Sequence, residues 1–448
     1  MQEKDVEARG LWSSKFGFIL AAAGSAIGLG NIWRFPYTTG ENGGGAFLIL
    51  YLICIILLGL PIMVAELAIG RHSRRNPVGA FEVIRPGSPW KLIGYLGVIT
   101  GICILSYYSV LAGYTVGYIG KSLAGNNSTY EAFTSNPLIS IPLFLAFIAI
   151  TVLVVQGGVK NGIERWSRIL MPTLMVLLII LIIRSVTLEG AEKGLAFYFK
   201  PDFSKVTGST VLAALGQAFF SLSLGMGAMI TYGSYLSKDD NLVASGCYVV
   251  FFDTLIAIMA GLLIFPAIFA MNMSPDEGPG LVFKVLPRIF GLIPGGRIVG
   301  AFFFILLSIA ALTSTISLLE VVTSYLVDEK HWLRRSAVWI VAGITFLLGL
   351  PAALSQEGMI PWLTELPGLG TSFLGFMDWI FGNIMLGVGA LFIAVFTGWV
   401  WKKEISSKEL RQGFPGFDRI APVLFFLLRF FCPVVILIVL FFIFKAGV

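Results

Sequence analysis

Stretches of about 20 apolar residues, each long enough to cross a bilayer, recur from one end of this chain to the other. They lie near 13–38, 43–70, 90–123, 138–156, 165–185, 211–236, 242–271, 297–327, 336–352, 371–401 and 418–446, eleven in all. In lipid, every backbone N–H and C=O must find a partner within the protein, so spans of this kind fold as helices. The chain therefore reads as an all-α polytopic membrane protein. Charged residues are 12% of the sequence, against about 25% in soluble domains, which leaves little for a domain outside the bilayer. The apolar run 16–20 before Ala21-Ala22-Ala23 is too short for a signal-peptide core and continues into the first span. It is expected to stay with the mature protein.

Orientation follows from the basic residues in short loops. Arg71, Arg74, Arg75 and Lys91 follow the second span, Lys160, Arg165 and Arg168 the fourth. Lys330, Arg334 and Arg335 follow the eighth, and Lys402, Lys403, Lys408 and Arg411 the tenth. The odd-numbered exits carry fewer: Lys121 after the third, Glu357 and Glu365 after the ninth. This predicts a multi-pass protein of a prokaryotic plasma membrane, its N-terminus cytoplasmic and its C-terminus on the extracellular side. The net charge of +6 belongs to these loops and calls for no nucleic acid. Two long outer loops, 186–210 and 272–296, have room to fold; Ser274-Pro275 reads as a helix start in the second.

The first span is broken. Gly24, Gly28 and Gly30 fall in its middle, where glycine weakens a helix. The sixth is broken in the same way, in Gln217-Ala218-Phe219-Phe220-Ser221-Leu222-Ser223-Leu224-Gly225-Met226-Gly227. The two stand five spans apart, so they enter the membrane from opposite sides. Paired interrupted helices in an inverted repeat point to a secondary transporter's binding site, although Gly24-x3-Gly28 alone also fits close helix packing. The repeats would run over about 12–185 and 211–401, with an extra helix at about 418–446, in one transmembrane domain over 1–448.

Polar groups inside the spans are few. Ala310, Thr313 and Ser314 share one face of the eighth span. Hydroxyls and carbonyls suit a hard cation; they also commonly bond to their own helix. Glu66, Asp253 and Glu320 are intramembrane acids, which are costly and default to functional roles. Asp253 has no basic neighbour in sequence and needs a proton or a cation. Glu66 could tie down backbone N–H groups freed by a broken helix. Arg34, at the outer end of the first span, needs an acid, and Asp378 is the obvious one. The four cysteines fall in apolar spans without metal spacing and read as buried thiols. The two histidines, His72 and His331, fall in polar loops. No His, Cys or metal cluster suggests an enzyme, and no charged ring or filter motif suggests a channel.

Asn31-Ile32-Trp33-Arg34-Phe35-Pro36-Tyr37, followed by Glu41-Asn42-Gly43-Gly44-Gly45-Ala46-Phe47, resembles the signature of the neurotransmitter:sodium symporters. The resemblance runs through spans 2, 3, 6, 7 and 8, and eleven spans with a short C-terminus are similar to the family's bacterial amino-acid transporters. It implies the inverted five-plus-five repeat of the leucine-transporter type. It implies a first sodium at Ala26, Asn31, Ser221, Asp253 and the substrate carboxylate. A second would sit at Gly24, Ile27, Ala310, Thr313 and Ser314. Substrate would contact Ala26, Gly30, Ile104, Tyr108, Phe220, Ser221, Ser223, Met226, Gly227, Ser314 and Leu318. Arg34 and Asp378 would form an outer gate, and Arg9, Trp12, Tyr235 and Asp328 an inner one. Gly162 and Pro172 have a spacing seen in relatives, and unwinding there would open a water path from the second sodium.

The function this resemblance implies is sodium-coupled import of hydrophobic L-amino acids, aromatic ones included, by alternating access. The alternatives are a sodium-dependent sensor of the same fold, or a symporter for another small zwitterion. Many relatives carry Asn where Asp253 stands, and chloride-dependent members have Ser where this chain has Ala257. Tyr51, Gln217 and Ser221 match the other chloride-site positions. Asp253 is therefore expected to supply the negative charge itself, so that chloride is not needed. The partners implied are the amino acid and the bilayer.

Overall fold

The computed structural model describes residues 11–126, 128–275, 281–356 and 359–446, and is helical with no strand among them. Arg9, Asp276, Glu277 and Glu357 lie outside the described residues. Among those described, nine helices are long and apolar enough to cross a membrane: Gly45–Ser73, Lys91–Ala124, Pro137–Val155, Val159–Val186, Leu242–Ala270, Gly296–Lys330, Arg334–Ala353, Phe373–Val400 and Phe417–Lys445. The first span is the pair Lys15–Ala26 and Gly30–Glu41, bent by 51° at its break. The sixth is two short helices, Gly208–Ser221 and Ala228–Gly233. The expected count of eleven thus depends on reading those two halves as one crossing.

Each break satisfies its freed backbone groups with side chains. The first helix starts where the Ser14 hydroxyl accepts the Gly17 N–H at 2.9 Å. It stops at Ile27, whose ψ of 112° is extended. The Gly28 N–H then donates to Asn31 Oδ1 at 3.0 Å, and the Leu29 N–H to the Tyr108 hydroxyl at 2.9 Å. In the sixth span the chain turns through Ser223, Gly225 and Gly227, all with φ between +53° and +88°. Glycine adopts that region without penalty; serine does not. The Gly225 N–H donates to Glu66 Oε1 at 2.7 Å.

Around these breaks the third and eighth spans form the centre, with 78% and 72% of their apolar windows buried. The fifth is peripheral at 33%, and its exposed Val176, Ile179, Ile180 and Ile183 form a face suited to lipid. Cys54 and Cys432 are buried as expected, whereas Cys103 is half-buried and Cys247 exposed; all four are free.

Two expectations concern the loops. The helix start expected at Ser274-Pro275 runs into residues outside the described ones; the described helical part of that loop begins at Leu281. Pro275 lies against the first span, where a Cβ on Gly40 would come 2.0 Å from its carbonyl oxygen. His72 is not in a loop but ends the helix Leu60–Ser73.

Candidate substrate and cation site

The two breaks face each other. Gln217 Nε2 donates to the Gly30 carbonyl at 2.9 Å, and the Ser223 hydroxyl to the Ser25 carbonyl at 3.2 Å. This juxtaposition gathers the polar residues into two clusters on either side of a small cavity.

The first cluster is centred on Asp253, which is fully buried. Asn31 Nδ2 donates to its Oδ1 at 2.7 Å and to Ser221 Oγ at 3.1 Å. The Ser221 hydroxyl lies 2.9 Å from Asp253 Oδ2, and the Tyr51 hydroxyl donates to the same oxygen at 3.3 Å. An acid is thus placed where three neutral donors converge, with no basic side chain bonded to it among the described residues. Gln217, by contrast, spends its amide nitrogen on Gly30, and its buried Oε1 has no partner among the described residues.

The second cluster is made of carbonyls and hydroxyls. The Thr313 hydroxyl lies 2.9 Å from the Ala310 carbonyl and 3.2 Å from that of Ile27. The Ser314 hydroxyl lies 3.3 Å from the Ser25 carbonyl and 3.4 Å from that of Ile27. Gly24 packs so closely here that an added Cβ would sit 3.1 Å from Met171 Sδ and 3.3 Å from Thr313 Cβ. Apart from the Asn31 amide nitrogen, which donates to Asp253 and Ser221, the two clusters present oxygen atoms, the donor chemistry of a hard cation.

Between them lies a cavity of about 30 Å³ lined by Ala26, Gly28, Gly30, Ile104, Tyr108, Phe220, Ser223, Met226, Ser314, Leu318 and Leu386. Nine of the eleven expected substrate contacts are in this lining. Ser221 and Gly227 are not. The Ser221 hydroxyl points to Asp253, and Gly227 faces Pro77, whose ring an added Cβ would meet at 2.6 Å. Gly28 and Leu386 line the cavity unexpectedly. Gly28 is legible in the sequence as a break residue but not as a wall; Leu386, one apolar residue among many in the tenth span, carries no signal. The free space holds about two waters, at roughly 10–15 Å³ each. A larger ligand fits only if the flexible Met226 and the Phe220 ring swing aside.

Both approaches to the cavity are covered. On one side the Arg34 guanidinium lies 4.3 Å from the Phe220 ring centroid. Arg34 Nη2 donates to Asn383 Oδ1 at 2.7 Å, while Asp378 accepts from the Tyr107 hydroxyl at 2.9 Å. The expected Arg34–Asp378 ion pair is therefore not formed: Asn383, five residues along the tenth span, takes the arginine. On the other side Trp12 donates to the Tyr232 carbonyl at 3.0 Å and packs edge-on against Tyr232 and Tyr235. Tyr235 donates to Glu320 at 2.7 Å, and Asp328 accepts from the Asn76 N–H at 3.1 Å. Glu164 joins this side without any signal in the sequence. It accepts the Ser13 N–H at 2.7 Å and its hydroxyl at 2.6 Å, and pairs with Arg168 at 2.6 Å. It closes the widened turn Val159–Glu164, which contains Gly162; Pro172 lies inside the helix that comes next, Arg165–Val186.

The chain is similar to known proteins over nearly its whole length. The family model described as "Sodium:neurotransmitter symporter family" matches residues 9–136 and 128–446. A sodium-dependent transporter of Bacillus subtilis, YhdH, is 39% identical over 96% of both chains. A sodium-dependent transporter of Haemophilus influenzae is 37% identical over 96% of this chain and 97% of its own. Among solved structures, MhsT in complex with L-phenylalanine superposes with a TM-score of 0.88 at 47% identity, covering 97% of this chain and 99% of the other.

Proposed function

The chain belongs to the sodium:neurotransmitter symporter family, and from that premise we propose that it imports hydrophobic L-amino acids, aromatic ones included, with two sodium ions and without chloride. It is a sodium-dependent membrane transporter, not an enzyme. The observation that carries the substrate reading is the cavity lining: apolar side chains, hydroxyls and exposed backbone, with no charged side chain. MhsT, which holds L-phenylalanine, supports the same size class.

In this reading the zwitterion is held by backbone. N–H groups at a helix start favour its carboxylate and carbonyls at a helix end its ammonium. Tyr108 bonds the carboxylate, Phe220 closes over it, and Ile104, Met226 and Leu318 surround the side chain. The Asn31 amide, the Ala26 carbonyl, Ser221 and Asp253 hold one sodium together with the substrate carboxylate. The carbonyls of Gly24, Ile27 and Ala310 with the hydroxyls of Thr313 and Ser314 hold the other. Asp253 supplies the negative charge that balances sodium at a dry site. Arg34 guards the outer approach with Asn383 and Asp378; Trp12, Tyr235 and Asp328 guard the inner one with Arg9. The N-terminus is cytoplasmic, and the repeats span about 12–185 and 211–401, with the extra helix at about 418–446.

Radiolabelled uptake into proteoliposomes tests this, with sodium and chloride varied independently. Uptake of Phe, Trp, Tyr or Leu should require sodium and survive replacement of chloride by gluconate. Preference for glycine or GABA over all four would overturn the substrate class. Collapse without chloride would overturn the role of Asp253.

A further inference from the structure

On the Arg34 side of the molecule, away from the central cavity, two adjoining cavities of about 510 and 500 Å³ open between the end of the third span, the loop helices Leu281–Leu292 and the start of the eighth span. Four cations line them, Lys121, Lys284, Arg288 and Arg297, against one acid, Glu131. Lys284 takes that acid, at 2.5 Å. Lys121 lies over the Tyr118 ring at 4.4 Å and donates to the Ser128 carbonyl. Arg297 covers Gly125, which ends the third-span helix; an added Cβ there would meet its guanidinium at 2.6 Å. Arg288 and Arg297 have no acidic partner within 4.0 Å among the described residues. The third span's negative end and the eighth span's positive end meet here, so the two helix dipoles offset each other and the excess of cations remains.

The rim of this basic cavity is apolar and open. Leu292 and Ile298, which line the cavities, are 70% and 57% exposed, and Leu123, next to the lining Ser122, is 55% exposed. A free inorganic anion would need the cations and gain nothing from the leucines. A phospholipid uses both, its phosphate on the guanidinium groups and its acyl chains along the rim.

We propose that this cavity is a seat for the phosphate headgroup of an anionic phospholipid. A lipid held there would steady the loop segment whose Phe283 packs 6.3 Å from Trp33, the neighbour of Arg34. Native mass spectrometry of the purified full chain with phosphatidylglycerol tests it, comparing wild type with the double variant Arg288→Gln/Arg297→Gln. Removing Lys160 and Arg165, exposed on the opposite side, gives an equal loss of charge as control. Each cation should be worth about fivefold in lipid binding, so the double variant should retain phosphatidylglycerol roughly twenty-five-fold less well, with the control variant near wild type. Phosphatidylcholine should bind weakly to all three, and millimolar inorganic phosphate should not displace the lipid. Equal retention by wild type and double variant, equal binding of phosphatidylcholine, or displacement by free phosphate would each overturn the assignment. The readout is lipid binding and needs no uptake, so it stands apart from the substrate reading.

Discussion

Gly28 and Gly24 flank the same break but carry different constraints. A methyl group at 28 would lie 2.4 Å from Ser314 Oγ and 2.7 Å from the Tyr108 hydroxyl, two groups that line the cavity. At 24 its nearest neighbour is Met171 Sδ at 3.1 Å, the end of a side chain that can move. Gly28→Ala is therefore expected to reduce substrate binding by on the order of a hundredfold, the cost of displacing site groups by about 1 Å. Gly24→Ala should act mainly on sodium affinity and more mildly; scintillation proximity binding separates the two. Glu66→Ala should leave the Gly225 N–H buried without a partner, at a cost of about 1–3 kcal/mol, read as a lower melting temperature in detergent. These glycines and acids are conspicuous in the sequence because each is expensive in a membrane. Sequence does not distinguish which glycine faces a ligand and which a neighbouring helix, since that depends on where Ser314, Tyr108 and Pro77 arrive from distant parts of the chain. Gly227 shows the point: in sequence it reads as room for substrate, in the fold it is room for Pro77.

Among the elements, the short helix Lys403–Arg411 shows what hydropathy does not reveal. It follows the tenth span and carries Glu409, which is 4% exposed. Arg71 Nε pairs with that carboxylate at 2.6 Å, Lys238 at 3.0 Å and His72 Nδ1 at 3.1 Å. Arg71 also donates to the carbonyls of Asp240 and Glu409. The second span, the loop after the sixth and the helix after the tenth are thus tied at one point. Burial would raise the Glu409 carboxyl, but the bonds from His72 and Lys238 and the charge of Arg71 bring it down to about 2. A depressed carboxyl contributes stability above its unfolded value, near 4.3, and loses it as pH falls through the folded one. Hydrogen exchange should show this helix docked at pH 5 and released progressively between about pH 4.3 and 2. Arg71→Ala removes the buried partner of Glu409 and leaves its carboxylate to Lys238 and His72, so it should loosen the helix at neutral pH, read as faster hydrogen exchange. The long spans are legible because lipid imposes one length and one composition. This tie is not, because Arg71, Lys238 and Glu409 read in sequence as ordinary charges at span ends.

At the scale of the whole molecule, the cavity is covered on both sides by different physics. The Arg34 side closes through one guanidinium over an aromatic ring and one amide. The Trp12 side closes through aromatic packing and the buried Glu164, which holds Ser13 and crowds Gly17, where an added Cβ would meet its carboxylate at 1.9 Å. Glu164→Gln weakens that hold and should raise hydrogen exchange across Lys15–Ala26 while leaving Gly30–Glu41 unchanged. Pro172→Ala restores a helix hydrogen bond and should slow sodium release and turnover; unchanged kinetics would remove it from the release path. The outer partner differs from the sequence expectation for a physical reason. Charge alone nominates Asp378, but the widened helical turn Asp378–Met385 brings Asn383 to Arg34 and leaves the acid to Tyr107.

The placement of Asp253 has a consequence in electrical terms. A charge fixed to the protein crosses back with it at the end of each cycle, whereas a co-transported chloride does not. In the proposed chloride-free cycle, with two sodium ions and a zwitterion, each turnover moves two net positive charges instead of one. At about 2.3 kcal/mol per charge per 100 mV, the membrane potential then contributes roughly twice the driving force that a chloride-coupled cycle would draw from it.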